Sequence, residues 1–111
     1  MSDRTYLGEL EQMTLWTVLR VGQDAYGPRI LAEFEERVGR TVTPGALYAT
    51  LDRLESKGMI ASQLADADSG RGGRRRRYVR VTAEGREALA LVRHEWMSLW
   101  EGVHLAVGRD A

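Results

Sequence analysis

Five arginines crowd one short stretch of this chain: Arg71, Arg74, Arg75, Arg76 and Arg77. Guanidinium groups at this density suit phosphate, which each binds through a planar fork of donors. The formal net charge of the 111 residues is zero, which taken alone argues against a polyanionic partner. The distribution reverses that. Residues 1–69 hold 7 basic and 11 acidic side chains, residues 70–80 hold 6 basic and none acidic, and residues 81–111 hold 3 and 5. The positive charge is focused on one stretch, and its flanks decide between a solvated basic loop and a nucleic-acid contact.

Those flanks read as a β-hairpin. Residues 59–64 alternate loosely, with Ile60 and Leu64 expected inward. Residues 77–81 alternate more clearly, Tyr78 and Arg80 on one face and Val79 and Val81 on the other. Between them, residues 65–74 carry three glycines and make a projecting tip. Gly72 and Gly73 let such a tip enter a narrow groove, where the negative potential favours arginine. Because strand side chains alternate, two of Arg74–Arg77 reach a duplex at once. The others return to the body or pair with acids.

The segment before the hairpin reads as a helix divided between body and partner. Thr43 and Pro44 suit its N-cap and first position, and Gly58 after Lys57 suits its end. Leu47, Leu51 and Leu54 form one narrow buried stripe. Thr43, Pro44, Gly45 and Ala46 are small enough for backbone to approach DNA, and a helix N-terminus aims N–H groups at phosphate. Tyr48, Ala49 and Arg53 lie off the leucine stripe. Tyr48 suits a phosphate or base-edge hydrogen bond, and Arg53 suits phosphate or guanine. Lys57 joins this DNA-facing set. Blander roles stay open for two of them: Tyr48 as half-buried packing, and Arg53 as a surface partner of Glu36 or Asp52.

Two helices precede this one. Leu7, Leu10, Met13 or Thr14, Val18 and Val21 fall at helical spacing and end at Gly22. Pro28 opens a second helix whose core face is Ile30, Leu31, Phe34 and Val38, ending at Gly39. Residues 41–43 are β-branched and enough for a short strand. After the hairpin, Thr82 caps a helix expected to run from Ala83 to about Val107. Leu89, Val92, Trp96, Leu99 and Val103 step along it in alternating threes and fours, a heptad seam. Three short helices cannot cover that length completely, which leaves a spare apolar face.

The expected fold class is mainly α (α+β), a winged helix-turn-helix with a long C-terminal dimerisation helix. Residues 1–82 form the winged helix-turn-helix DNA-binding domain and residues 83–111 the C-terminal dimerisation helix, in one compact unit. The ordered motifs Leu7-Gly8-Glu9-Leu10-Glu11, Asp24-Ala25-Tyr26-Gly27, Gly45-Ala46-Leu47-Tyr48, Leu51-Asp52-Arg53-Leu54-Glu55-Ser56-Lys57-Gly58, Gly72-Gly73-Arg74-Arg75-Arg76-Arg77-Tyr78 and Val81-Thr82-Ala83-Glu84-Gly85 resemble the PadR family of bacterial transcriptional regulators. The likeness covers about residues 7–103, in the short form with a single C-terminal helix. It implies a homodimer on a pseudo-palindromic operator, usually acting as a repressor. It also carries phosphate-contact roles to Tyr26, Gly27, Tyr48, Gly72, Gly73 and Arg74.

Trp96 and Trp100 lie one turn apart, with His104 a further turn on. Both indoles fill the dimer seam, or they hold a small flat aromatic effector as some PadR-like dimers do; His104 reads as a helix-surface residue. There is no cysteine, the two histidines fall late in one helix, and the glycine-rich stretch runs into a β-segment. No enzyme, metal or cofactor is expected. No run approaches about 18 apolar residues, and residues 1–6 lack an apolar signal segment. A cytoplasmic protein without membrane contact is therefore expected. The alternative function is a winged-helix protein–protein interaction module without sequence-specific DNA binding. RNA would call for more stacking aromatics than Tyr78.

Overall fold

The computed structural model describes residues 6–66 and 75–108. Four α-helices and a two-stranded antiparallel sheet follow in the order α1 (Glu9–Val21), α2 (Gly27–Val38), α3 (Pro44–Ser56), β1 (Ile60–Asp66), β2 (Arg75–Val81) and α4 (Ala83–Trp100). A single 3₁₀ turn, Gly22–Asp24, joins α1 to α2. This is a winged helix: three helices, a hairpin and a trailing helix.

α1 starts at Gly8, whose backbone N–H donates to the Glu11 carboxylate at 2.8 Å. Its buried face is Glu11, Thr14, Leu15, Thr17 and Val18. Of the expected stripe, Leu7, Thr14 and Val18 are buried, while Leu10, Val21 and the alternative Met13 are only half-buried. α2 follows the expectation at Ile30 and Phe34, both buried, but Val38 is exposed in the last turn. There the helix has already left the body, and Gly39 closes it in the left-handed region at φ +79°. Residues 39–43 form no strand. Among the described residues no strand pairs with this stretch; β1 and β2 take each other as partners. The β-branched residues there serve an N-cap instead: Thr43 Oγ1 accepts from the Ala46 N–H at 3.1 Å.

α3 buries Leu47, Thr50, Leu51 and Leu54. Thr50 is inward because its hydroxyl donates to the Ala46 carbonyl at 2.8 Å, which satisfies it within the helix. The hairpin pairs Ile60 with Val81 through to Asp66 with Arg75. Its inner end is anchored by buried Ile60, Val79 and Val81, and the Val79 N–H donates to the Ala25 carbonyl at 2.9 Å. Its outer end projects. Leu64, expected inward, is 61% exposed because the strands have passed beyond the body at that point.

α4 is fixed at its start. Thr82 Oγ1 accepts from the Gly85 N–H at 3.0 Å and donates to the Gly58 carbonyl at 2.7 Å. Gly85 sits against the Met59 carbonyl, and a Cβ there would meet Val81 Cγ1 at 2.7 Å. Leu89 then enters the core. The helix ends at Trp100, short of the expected Val107. Gly102 has φ +81°, a conformation that does not continue a helix.

Candidate nucleic-acid interface

Thr43, Pro44, Gly45 and Ala46 are all exposed at the start of α3, and Ala49 is exposed one turn on. Small side chains here leave the positive end of the helix dipole open to an anion. Tyr48, next to them, both packs and faces solvent. Its hydroxyl lies against Gly27, the first residue of α2, where a Cβ would meet the ring Cζ at 2.8 Å. A side chain at position 27 would therefore have to displace the Tyr48 ring.

The start of α2 in turn touches the wing. Tyr26 is its N-cap. The Tyr26 and Tyr78 rings meet edge-on at 5.5 Å between centroids. The Arg76 guanidinium stands 4.5 Å above the Tyr26 ring, a cation–π contact. One chain of contacts thus joins α3 (Tyr48), α2 (Gly27, Tyr26) and β2 (Tyr78, Arg76). Arg75 is exposed on the outer part of β2. Arg71, Gly72, Gly73 and Arg74 lie outside the described residues.

Two cations of the expected DNA-facing set pair with Glu11, Arg53 while remaining exposed. Lys57 Nζ binds both oxygens of Glu11, at 2.8 and 2.9 Å, and the Tyr6 carbonyl at 2.6 Å. Arg53 Nε stands 3.4 Å from the same carboxylate. The blander role for Arg53 as an ion-pair partner describes it, but the partner is Glu11, not Glu36 or Asp52. Burial pushes the Glu11 pKa up. The Lys57 hydrogen bond, the Gly8 N–H and the charges of Lys57 and Arg53 outweigh it and hold the carboxyl below the usual range. Sequence reading missed Glu11 because an acid in the first turn of a helix ordinarily serves the dipole at the surface.

Arg77 turns inward, against Asp52, Glu55 and Ser62. Hydrogen bonds from the Ser62 hydroxyl and from Arg77 hold Glu55 below the usual carboxylate range. Alternation on the strand anticipated that some of the four arginines would return to the body, though not which.

The expected dimer seam divides. Leu89 is buried in the protomer's own core and is not available to a partner; Val92 is half-buried. The start of α4 packs on the body through Gly85, against Met59 and Val81, and through Leu89. Trp96 and Leu99 are exposed, at 50% and 71%. Val103 is exposed too, but it lies beyond the end of α4 and so does not continue the helical seam. Trp96 and Trp100, the candidate effector pair, come together along an apolar groove of about 500 Å³ with Leu99, Val103 and Leu105. Both also line a groove of about 440 Å³ between α4 and α1, where Trp16 and Met13 face them.

Among the described residues no His, Asp or Glu cluster could hold a metal ion, and no helix is long and apolar enough to cross a membrane.

Comparison with known proteins bears on the same elements. Residues 15–91 match the Transcriptional regulator PadR-like family. An uncharacterised protein of Lysinibacillus sphaericus is 30% identical over 100 residues, covering 88% of this chain and 87% of that protein. The transcriptional regulator Rv3488 of Mycobacterium tuberculosis is 47% identical over 53 residues, which is 48% of this chain and 46% of that protein. A crystal structure of a PadR family transcription regulator from Clostridium difficile superposes with a TM-score of 0.71 at 30% identity, over 85% of this chain and 93% of that one. The helices, the hairpin and the ordered motifs along them are those of one family, and the chain belongs to the PadR-like transcriptional regulators.

Proposed function

We propose that this protein is a DNA-binding transcriptional repressor that engages a pseudo-palindromic operator as a homodimer and is released by a small aromatic effector. The observation that carries the reading is the contact chain from Tyr48 through Gly27 and Tyr26 to Tyr78 and Arg76, which ties the start of α3 to the wing. A duplex meeting the exposed start of α3 meets the wing with it. Thr43, Pro44, Gly45, Ala46, Tyr48 and Ala49 supply the groove-facing surface. Tyr26, Gly27, Arg75 and Arg76 supply backbone contacts beside it, and Gly72, Gly73 and Arg74 join them on the family motif. Arg53 and Lys57 are assigned to holding α3 on Glu11 rather than to phosphate.

The dimer is supported by the exposed apolar residues Trp96, Leu99 and Trp100 on the outer turns of α4, with exposed Val103 just beyond the helix end. Contiguous apolar surface of this kind is rarely left to water. A second protomer covering it would present two α3 helices to one operator. The effector reading rests on the indoles of Trp96 and Trp100, which border both apolar grooves.

The test is a mobility shift on duplexes selected from a random pool, followed across salt. About three wing contacts to phosphate per protomer give a log–log slope of about −5 for a dimer. A slope shallower than about −2 contradicts the wing's role, and the absence of any salt-sensitive shift favours a protein–protein interaction module.

A further inference from the structure

The wing arginines divide by strand face. Arg76 and Tyr78 lie on one face of β2, toward Tyr26. Arg77 lies on the other, the face of buried Val79, and points at α3. Its guanidinium spends each kind of donor on a different acceptor. Nε donates to Ser62 Oγ at 3.0 Å, Nη1 to Asp52 Oδ1 at 3.0 Å and Nη2 to Glu55 Oε1 at 2.7 Å. Ser62 closes the ring by donating its own hydroxyl proton to Glu55 at 2.7 Å. The Arg77 side chain is 24% exposed, against 70% for Asp52 and 44% for Glu55.

Asp52 and Glu55 sit on α3 immediately after Leu51 and Leu54, the residues that dock it. Ser62 is on β1 and Arg77 on β2. The network therefore crosses from the docked helix to both strands, just where Leu64 and Gln63 show the hairpin leaving the body. Two carboxylates on a helix that approaches phosphate would repel it; the guanidinium between them cancels part of that charge.

We propose that Arg77 is a positioning residue that sets the angle of the wing to α3, and that Asp52, Glu55 and Ser62 are its seat. The arginine most like its neighbours in sequence makes no phosphate contact. It fixes where the contacts of Arg75 and Arg76 fall relative to the groove-facing start of α3, and this role rests on the DNA-binding reading given above. Fork geometry matters as well as charge, since one ammonium cannot present three donors in a plane to three separate acceptors.

The test uses the full chain, with Arg77→Ala, Arg77→Lys and the double variant Asp52→Asn with Glu55→Gln. Each is first checked for folding by circular dichroism. The ratio of operator to non-specific affinity falls about tenfold in all three, on the order of one misplaced base contact. The salt slope of Arg77→Ala stays at the wild-type value. A phosphate-contacting Arg77 would instead lower the slope by about 1.8 in a dimer, and that result overturns the proposal. So does full rescue by Arg77→Lys, which would make charge sufficient. An unchanged or raised specificity ratio in the double variant also overturns it, because simple removal of repelling acids predicts that. Amide exchange of β1 and β2 provides a readout without DNA. Arg77→Ala exchanges the outer hairpin amides at least tenfold faster, and unchanged exchange overturns the clamp. If the wild-type protein itself binds no duplex, the DNA-binding reading fails and the clamp is judged on exchange alone.

Discussion

α3 and α4 carry apolar stripes of nearly the same period and meet opposite fates. On α3, Leu47, Leu51 and Leu54 are all buried within the protomer. On α4, Leu89 is buried while Trp96 and Leu99, two and three turns further along, face solvent. Helical spacing tells which residues share a face, not what covers it. Cover depends on where the rest of the chain runs. α3 is enclosed by α1, α2 and β1, whereas the outer turns of α4 face α1 across an open groove. The uncovered remainder is where aromatic residues concentrate, at Trp96 and Trp100. Large rings at such a place suit a partner or a ligand more than a core.

The sharpest way to break this contrast is to damage each stripe once. Leu51→Ala opens a cavity in a site that is 1% exposed. It costs about 2–5 kcal/mol of unfolding free energy, read by denaturant melts with far-UV circular dichroism. Leu99→Asp should leave the protomer's fold within about 0.5 kcal/mol of wild type, as a surface change does. It should weaken the proposed dimer about 100-fold by burying a charge in its seam, measured by sedimentation velocity. If Leu99→Asp instead unfolds the chain and leaves association unchanged, α4 is a core helix throughout and the seam lies elsewhere.

How far these elements were legible before any coordinates follows the same line. Capping residues placed the ends of α3 and the start of α4 closely, because Thr43 and Thr82 act on their own helices through bonds three residues away. The strand expected at residues 41–43 failed because a strand exists only with a partner, and β-branched composition cannot supply one. Leu64 and Leu89 were misplaced for a shared reason: each lies on the correct face of its element, but distance from the body decides burial. Tyr26, Gly27 and Tyr48 were singled out through the family motifs, and the structure brings Gly27 against the Tyr48 ring. Lys57, Arg53 and Arg77 were beyond reach, since their partners stand 46, 42 and 25 residues away in the chain. No local pattern says which acid a cation will meet.

A finer test asks how much of the docking of α3 is ionic. Beside its leucines, α3 is held at its far end by one buried carboxylate, Glu11, through Arg53 and Lys57. Glu11→Gln keeps the shape but leaves Lys57 facing a neutral amide. The loss should be about 1.5–3 kcal/mol at neutral pH, the range for hydrogen bonds to charged groups. The pH dependence isolates the charge. In the folded protein Glu11 binds its proton less readily than in the unfolded chain, where its value is near 4.5. Its contribution is therefore complete above that value. It is lost as pH falls from there through the lower folded pKa, because the unfolded chain takes up the proton first. Glu33 and Glu55, also lowered, act in the same direction at the surface and remain in the variant. The gap between wild type and Glu11→Gln should accordingly be constant from pH 7 to about 5 and close below the ordinary carboxylate range. A gap that persisted undiminished to the lowest pH would mean that Glu11 holds α3 by shape and hydrogen bonding, with its charge contributing nothing.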